Sequence, residues 1–325
     1  MAAATEPLDL VDIAVLLNYE HATTDERFRN MKLREVVYPG ESPRSFNSDP
    51  RSHPADWRSN DRTWIALEEA STQEDRQLPA TMMSQVNCVP STLTEQQIET
   101  IFYRTRAFNF CAKSCLLLEQ FFSLFPSDTE LRIRQAPQGE QSGTSYITTV
   151  GNRYLVHDVL VEPKLSTVLA SPQWDHFKSA GAGAELEHWY TTFYAPNRGQ
   201  IASVLDLSSM QFGEVGRGPG KNGKMLFVLE DKTDYEERLK RIAGSVDLAR
   251  RQILPQAICE NEFAPGNLVR KVKERWEKQA TEKWCGHCGA PEPKFKCTGC
   301  GDVWFCNKEH QKMMWSFHKG YCNKG

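Results

Sequence analysis

Residues 285–322 read CGHCGAPEPKFKCTGCGDVWFCNKEHQKMMWSFHKGYC. Their donor groups fall as Cys285-x2-Cys288, Cys297-x2-Cys300, Cys306-x3-His310 and His318-x3-Cys322. Thiolates and imidazoles are the donors zinc favours, and eight of them make two closed tetrahedral sites. A two-residue gap lets both sulfurs of a tight knuckle turn onto one ion. A three-residue gap sets two donors one turn apart on one helix face, and NKEHQKMMWSFHK, from Asn307 to Lys319, holds no helix breaker before Gly320. Six of the ten cysteines crowd into this stretch, whereas Cys88, Cys111, Cys115 and Cys259 are scattered. In a reducing compartment such pairing reads as metal binding rather than as disulfides. So short a segment buries too little apolar surface to fold alone, so bound zinc is expected to supply its folding energy.

The pattern resembles the MYND zinc finger family over about an eighth of the chain. Besides the eight donors, the likeness rests on the Phe305–Cys306 step, Gln311 after the sixth ligand, Trp315, and His318–Lys319 before Cys322. The resemblance implies an interleaved cross-brace: Cys285, Cys288, Cys306 and His310 on one zinc, Cys297, Cys300, His318 and Cys322 on the other. The family usually has Cys where His310 stands. Imidazole is an equally good donor, so the site survives with one less negative charge. His287 is a weaker ligand candidate, because its neighbours already hold the metal. The resemblance also implies a protein partner engaged through a short proline-containing segment, with Gln311 and Trp315 at the groove. The plainer role for Trp315 and Phe317 is to complete the finger's small core. Closed sites leave no position for water, so catalysis by zinc is not expected. Lys294, Lys296, Lys308, Lys312 and Lys319 are dispersed, so nucleic acid is not expected as a partner. No Asn-His-Ser segment of the SET methyltransferase type that accompanies some such fingers occurs here, and methyl transfer is not expected.

Upstream, Cys111 opens the apolar stretch CAKSCLLLEQFFSLF after Phe108-Asn109-Phe110. A thiol at a helix start has its thiolate stabilised by unpaired N–H groups and the helix dipole. His188 begins the strand-like HWYTTFY, and Asp206 lies in the next, QIASVLDLS, across a turn containing Asn197 and Gly199. Adjacent strands would set His188 beside Asp206, giving a nucleophile, a base and an orienting carboxylate. This order resembles the papain-like and transglutaminase-like superfamily over roughly residues 100–230. It implies a cysteine-dependent hydrolase or acyltransferase with the finger as a targeting arm, as the alternative to a protein-interaction role. The glycine that often precedes the family's cysteine is absent. Cys115, one turn on, is the rival nucleophile; Asn109 stands six residues before it, where papain-like enzymes keep an oxyanion-hole amide. The ordinary role of a Cys on an apolar helix is inert packing. His157, beside Leu155, Val159 and Val161, is expected in the core, and His176 has no evident partner.

The chain's 325 residues allow one sizeable core and a smaller unit. The formal net charge of −3 gives no basic field for nucleic acid. No apolar run nears the roughly 20 residues that span a bilayer, and the first residues lack a basic n-region. A soluble cytoplasmic or nuclear protein is expected. Residues 1–85, with the Pro- and Ser-rich YPGESPRSFNSDPRSHPADWRSND, read as an irregular N-terminal extension. Residues 86–232 read as the main domain. There Ser91 or Thr92 caps a helix through LTEQQIETIFYRTRAF, CAKSCLLLEQFFSLF forms a second helix, and five strand-like segments follow: ELRIRQA, TSYITTVGNRYLVHDVLVE, HWYTTFYA, QIASVLDLS and KMLFVLED. Residues 233–282 read as a helical connector with breaks at Pro255 and Pro265, and 283–325 as the finger. Helices followed by antiparallel strands make the fold class α+β. GRGPGKNGKM, from Gly216 to Met225, imitates phosphate-binding loops. Those need a helix next, whereas MLFVLED reads as a strand, so a glycine-rich connection is expected.

Overall fold

A computed structural model describes residues 6–28, 31–41, 61–69, 93–136, 143–171, 178–195, 201–247 and 266–322. Ser91, Thr92, Cys88, His176, Asn197, Gly199, Pro255, Pro265 and Cys259 lie outside the described residues.

The fold is α+β. Its centre is helix α1 (Leu10–Thr24), whose Leu10, Val11, Ile13, Ala14, Val15, Leu16 and Leu17 are all buried. A helix apolar nearly all round must sit inside a core. Asp9 caps it, accepting from the Val11 and Asp12 amides at 3.1 and 3.3 Å. The same buried carboxylate pairs with Arg132 and Arg134 of strand β4 (Glu130–Arg134), each at 2.8 Å. Strand β1 (Leu8–Asp9) runs parallel to β4, which pairs antiparallel with β5 (Ser145–Thr149). The expected irregular extension over 1–85 is corrected for its described residues. It contributes α1 and also strands β2 (Met31–Val37) and β3 (Asp61–Glu69). The apolar residues of MKLREVV and TWIAL outweigh the breakers that surround them, because both runs find a sheet to join.

That sheet has the order β2-β3-β7-β8, with β7 (Leu165–Ala170) parallel to β3 and β8 (Lys178–Ala180) at the edge. A second sheet, antiparallel throughout, has the order β11-β10-β9-β6-β12. Its strands are β6 (Arg153–Pro163), β9 (Glu185–Tyr194), β10 (Ile201–Asp206), β11 (Val228–Glu230) and β12 (Ala243–Asp247). Strand β12 corrects the expected helical connector over 233–282. Helix α4 (Lys232–Ile242) ends at Ala243, and the chain then pairs with β6 before helix α5 (Gly266–Glu277). The Gly-rich connection is followed by β11 rather than by a helix, and Gly218 bridges Met225 across it.

Helix α2 (Glu95–Ala107) is capped two or three residues later than the Ser91 or Thr92 reading. Its cap is Thr94, which closes a reciprocal pair with Gln97: hydroxyl from the Gln97 amide at 3.2 Å, Thr94 amide to the Gln97 side chain at 2.9 Å. Helix α3 (Cys111–Phe122) lays Cys115, Leu116 and Trp189 of β9 together in a small apolar cluster. No helix among the described residues is long and apolar enough to cross a membrane.

Candidate metal centre and a buried histidine–aspartate pair

The C-terminal stretch folds as two knuckles, a short hairpin of β13 (Phe295–Lys296) and β14 (Trp304–Phe305), and helix α6 (Lys308–His318). Each knuckle closes on a glycine just after its second cysteine. Gly289 and Gly301 have φ of +83° and +75°, and their amides bond back to Cys285 O and Cys297 O at 2.8 and 3.0 Å. Only a residue without a Cβ adopts that backbone at little cost, so Cys-x2-Cys-Gly, written twice, was the sequence signal for these turns. Asn307 caps α6, taking the His310 amide at 2.8 Å and so fixing where that imidazole leaves the helix.

The donors come together in two sets, Cys285, Cys288, Cys306 and His310, then Cys297, Cys300, His318 and Cys322. Within each set all ligand atoms lie within 4.8 Å of one another. The sulfurs of Cys288 and Cys306 are 3.7 Å apart and those of Cys297 and Cys322 are 3.8 Å apart. A tetrahedron with Zn–S bonds near 2.3 Å has edges of about 3.8 Å. The mixed edges agree as well: Cys285 Sγ to His310 Nδ1 is 3.4 Å, and His318 Nε2 is 3.3 and 3.6 Å from the sulfurs of Cys297 and Cys300. None of the eight described cysteines is in a disulfide. The donor set and its spacing fit two zinc ions, interleaved along the chain.

The finger is not a loose appendage. Cys285, Cys288, Cys297, Phe305, Met314 and Phe317 belong to the same apolar core as α1. A Cβ on Gly289 would stand 2.7 Å from Tyr19 Cβ and from Val15 O, so the first knuckle rests directly on α1. Arg275 of α5 donates to Gly289 O at 2.6 Å and to Glu20 of α1 at 2.7 Å. Tyr321 donates to Thr144 O at 2.6 Å, and the Gly143 amide to Gly320 O at 3.1 Å. His287, read from sequence as a weak ligand candidate, points away from the cluster to Glu99 of α2, with Nε2 3.0 and 3.1 Å from the two carboxylate oxygens. On α6, Trp315 is 42 % exposed and Gln311 is half-buried.

In the main body, His188 and Asp206 meet on adjacent strands, Nε2 to Oδ2 at 3.1 Å, both buried. Tyr235 of α4 places its hydroxyl 2.8 Å from the same Nε2 and 3.3 Å from Asp206 Oδ2. Ser208 donates its amide and hydroxyl to Asp206 Oδ1 at 2.9 and 2.8 Å. Gln211 stands 3.3 Å from His188 Nδ1. Sequence reasoning missed both Tyr235 and Gln211, since neither lies in a recognisable motif. Burial alone would discharge His188, but Asp206 and the nearby Cys111 push its pKa up to about 10.

Cys111 is the first residue of α3, half-buried, with its sulfur 3.6 Å from Glu187 O. Cys115 is buried against Thr191, and burial pushes its thiol well up. Asn109, exposed with φ of +51°, makes the turn into the helix. His157 stacks on Trp189 at 4.2 Å.

A family model described as MYND finger matches residues 285–322. Neither the curated proteins nor the solved structures contain a match to the chain. The papain-like likeness of the central domain therefore has no support from relatives.

Proposed function

We propose that this is a zinc-stabilised interaction protein whose C-terminal finger presents α6 to a short proline-containing segment of a protein partner. It would work in the cytoplasm or nucleus, where thiolates stay reduced. The observation that carries the reading is Trp315, a large indole left 42 % exposed on α6 while Met313, Met314 and Phe317 of that helix are buried. An exposed aromatic beside a half-buried amide, Gln311, suits a proline ring and its backbone carbonyl. Trp315→Ala should weaken peptide capture on the order of 30-fold, about 2 kcal/mol, the scale of an interface anchor. It should change stability by no more than about 0.5 kcal/mol. Unchanged capture by the folded variant would reject the groove.

A second reading, a cysteine-dependent hydrolase or acyltransferase, is favoured by one observation: the half-exposed Cys111 at the start of α3 has its sulfur 3.6 Å from the carbonyl of Glu187, the residue before His188 of the buried His188–Asp206 pair. The nucleophile would be Cys111, the base His188 and the orienting group Asp206. The reactivity of that thiol decides it.

A further inference from the structure

Glu99 lies on α2, outside the finger, yet it is the carboxylate that faces the first metal cluster. His310 turns Nδ1 toward the cluster, 3.4 Å from Cys285 Sγ, and Nε2 outward, 3.7 Å from Glu99 Oε1. His287 packs edge-on to His310 with ring centroids 4.9 Å apart and holds the same carboxylate at 3.0 Å. From behind, Arg217 donates to Glu99 Oε2 at 3.0 Å. Arg217 is itself fully buried and anchored on Thr100 at 2.8 Å, Gln96 O at 3.2 Å and Lys224 O at 2.8 Å. The carboxylate is thus held by Arg217 from the main body and by His287 from the finger, with one oxygen directed at the two imidazoles.

We propose that Glu99 is a positioning residue for the first zinc site, orienting His310 through its outer ring nitrogen. The physical argument starts from charge. A site of three thiolates and an imidazole carries one negative charge less than four thiolates would. A carboxylate on the far side of the imidazole restores part of it, fixes Nε2 as the protonated nitrogen and leaves the Nδ1 lone pair for the metal. At 3.7 Å the carboxylate oxygen faces Nε2 from beyond hydrogen-bond distance, so its influence on the ring is electrostatic. At the second site the carboxylate that acts on the histidine, Asp302, belongs to the finger itself: His318 uses Nε2 toward Cys297 and Cys300, and its ring packs on Phe305 and Trp315. The two ions are therefore held differently. At the first, a main-body carboxylate backs a ligand imidazole; at the second, the main body touches Gly320 and Tyr321 beside the ligand Cys322.

The inference rests on zinc filling both clusters, which elemental analysis of the full chain checks separately as two ions per chain. Zinc release from the full-length, loaded protein is then followed with a chromogenic chelator. Glu99→Gln should speed release of one ion about tenfold and leave the other unchanged. In a His310→Cys background, where a thiolate replaces the imidazole, Glu99→Gln should no longer speed release. Equal acceleration of both ions, no acceleration, or the same acceleration in the His310→Cys background overturns the proposal; the last would mean that Glu99 only pins the knuckle through His287. Should Glu99→Gln not fold, the wild-type protein suffices. Its nitrogen NMR spectrum should show His310 metal-bound at Nδ1 with a slowly exchanging proton on Nε2, and rapid exchange of that proton sinks the idea.

Discussion

At the scale of single residues, chemistry is carried by side chains whose neighbours lie far away in sequence. Cys111 and Cys115 are one turn apart on the same helix, and their spacing in sequence does not separate them. Packing does. Cys115 is enclosed by Leu116 and Trp189, and loss of water pushes its thiol up, whereas Cys111 stays half-exposed, its sulfur 3.6 Å from the carbonyl of Glu187, the residue before His188. Iodoacetamide at neutral pH should therefore label Cys111 at least about tenfold faster than Cys115. His188→Gln should slow that reaction in a protein that keeps its circular dichroism. An alkylation rate at Cys111 indifferent to His188→Gln would dispose of the enzyme reading. His287 teaches the complementary lesson. Its place inside a knuckle marks it as a possible ligand in sequence, but the carboxylate it serves comes from Glu99, 188 residues earlier.

At the scale of elements, what could be read depended on whether a segment's pattern matched its final environment. The apolar run CAKSCLLLEQFF became α3, and the alternating HWYTTFY became β9. Helix α1 lacks one-sided patterning because it is enclosed on all faces, and AGSVD has little strand character until β6 offers an edge. The start of α3 depends on α1 in a way that can be titrated. His21 of α1 stacks on Phe110, the residue preceding α3, with ring centroids 3.6 Å apart. Burial, reinforced by Arg27, Arg106 and Lys113, lowers its pKa from 6.5 to about 3, despite Asp25 nearby. Between these values the unfolded chain binds a proton that the folded chain refuses. The stability is fully present above pH 6.5 and is lost as the pH falls from there toward 3. His21→Phe, which keeps the stack and removes the titration, should flatten that acid limb in denaturant titrations. An acid limb as steep as in the wild type would show that other groups govern it.

At the scale of the whole molecule, the finger and the main body share one core. A structural zinc contributes on the order of 10 kcal/mol, comparable with the entire stability of a domain. Removing both ions should unfold residues 285–322 and also loosen the surfaces they cover, α1 around Val15 and Tyr19 and the β4–β5 hairpin at Gly143 and Thr144. Hydrogen exchange in the chelated protein checks this. Native protection retained in the finger would refute metal-driven folding, and protection lost in the finger alone would refute the shared core. The eight zinc donors, their two-ion count and the α+β class were determined by local sequence, because a knuckle, a helical turn and an apolar periodicity are each set within a few residues. Only tertiary structure decided that α1 and β2–β3 belong to the body, that Tyr235 and Gln211 flank His188, and that Glu99 faces the first cluster. Those contacts join segments far apart along the chain, and burial, charge and distance act between them only once the chain has folded.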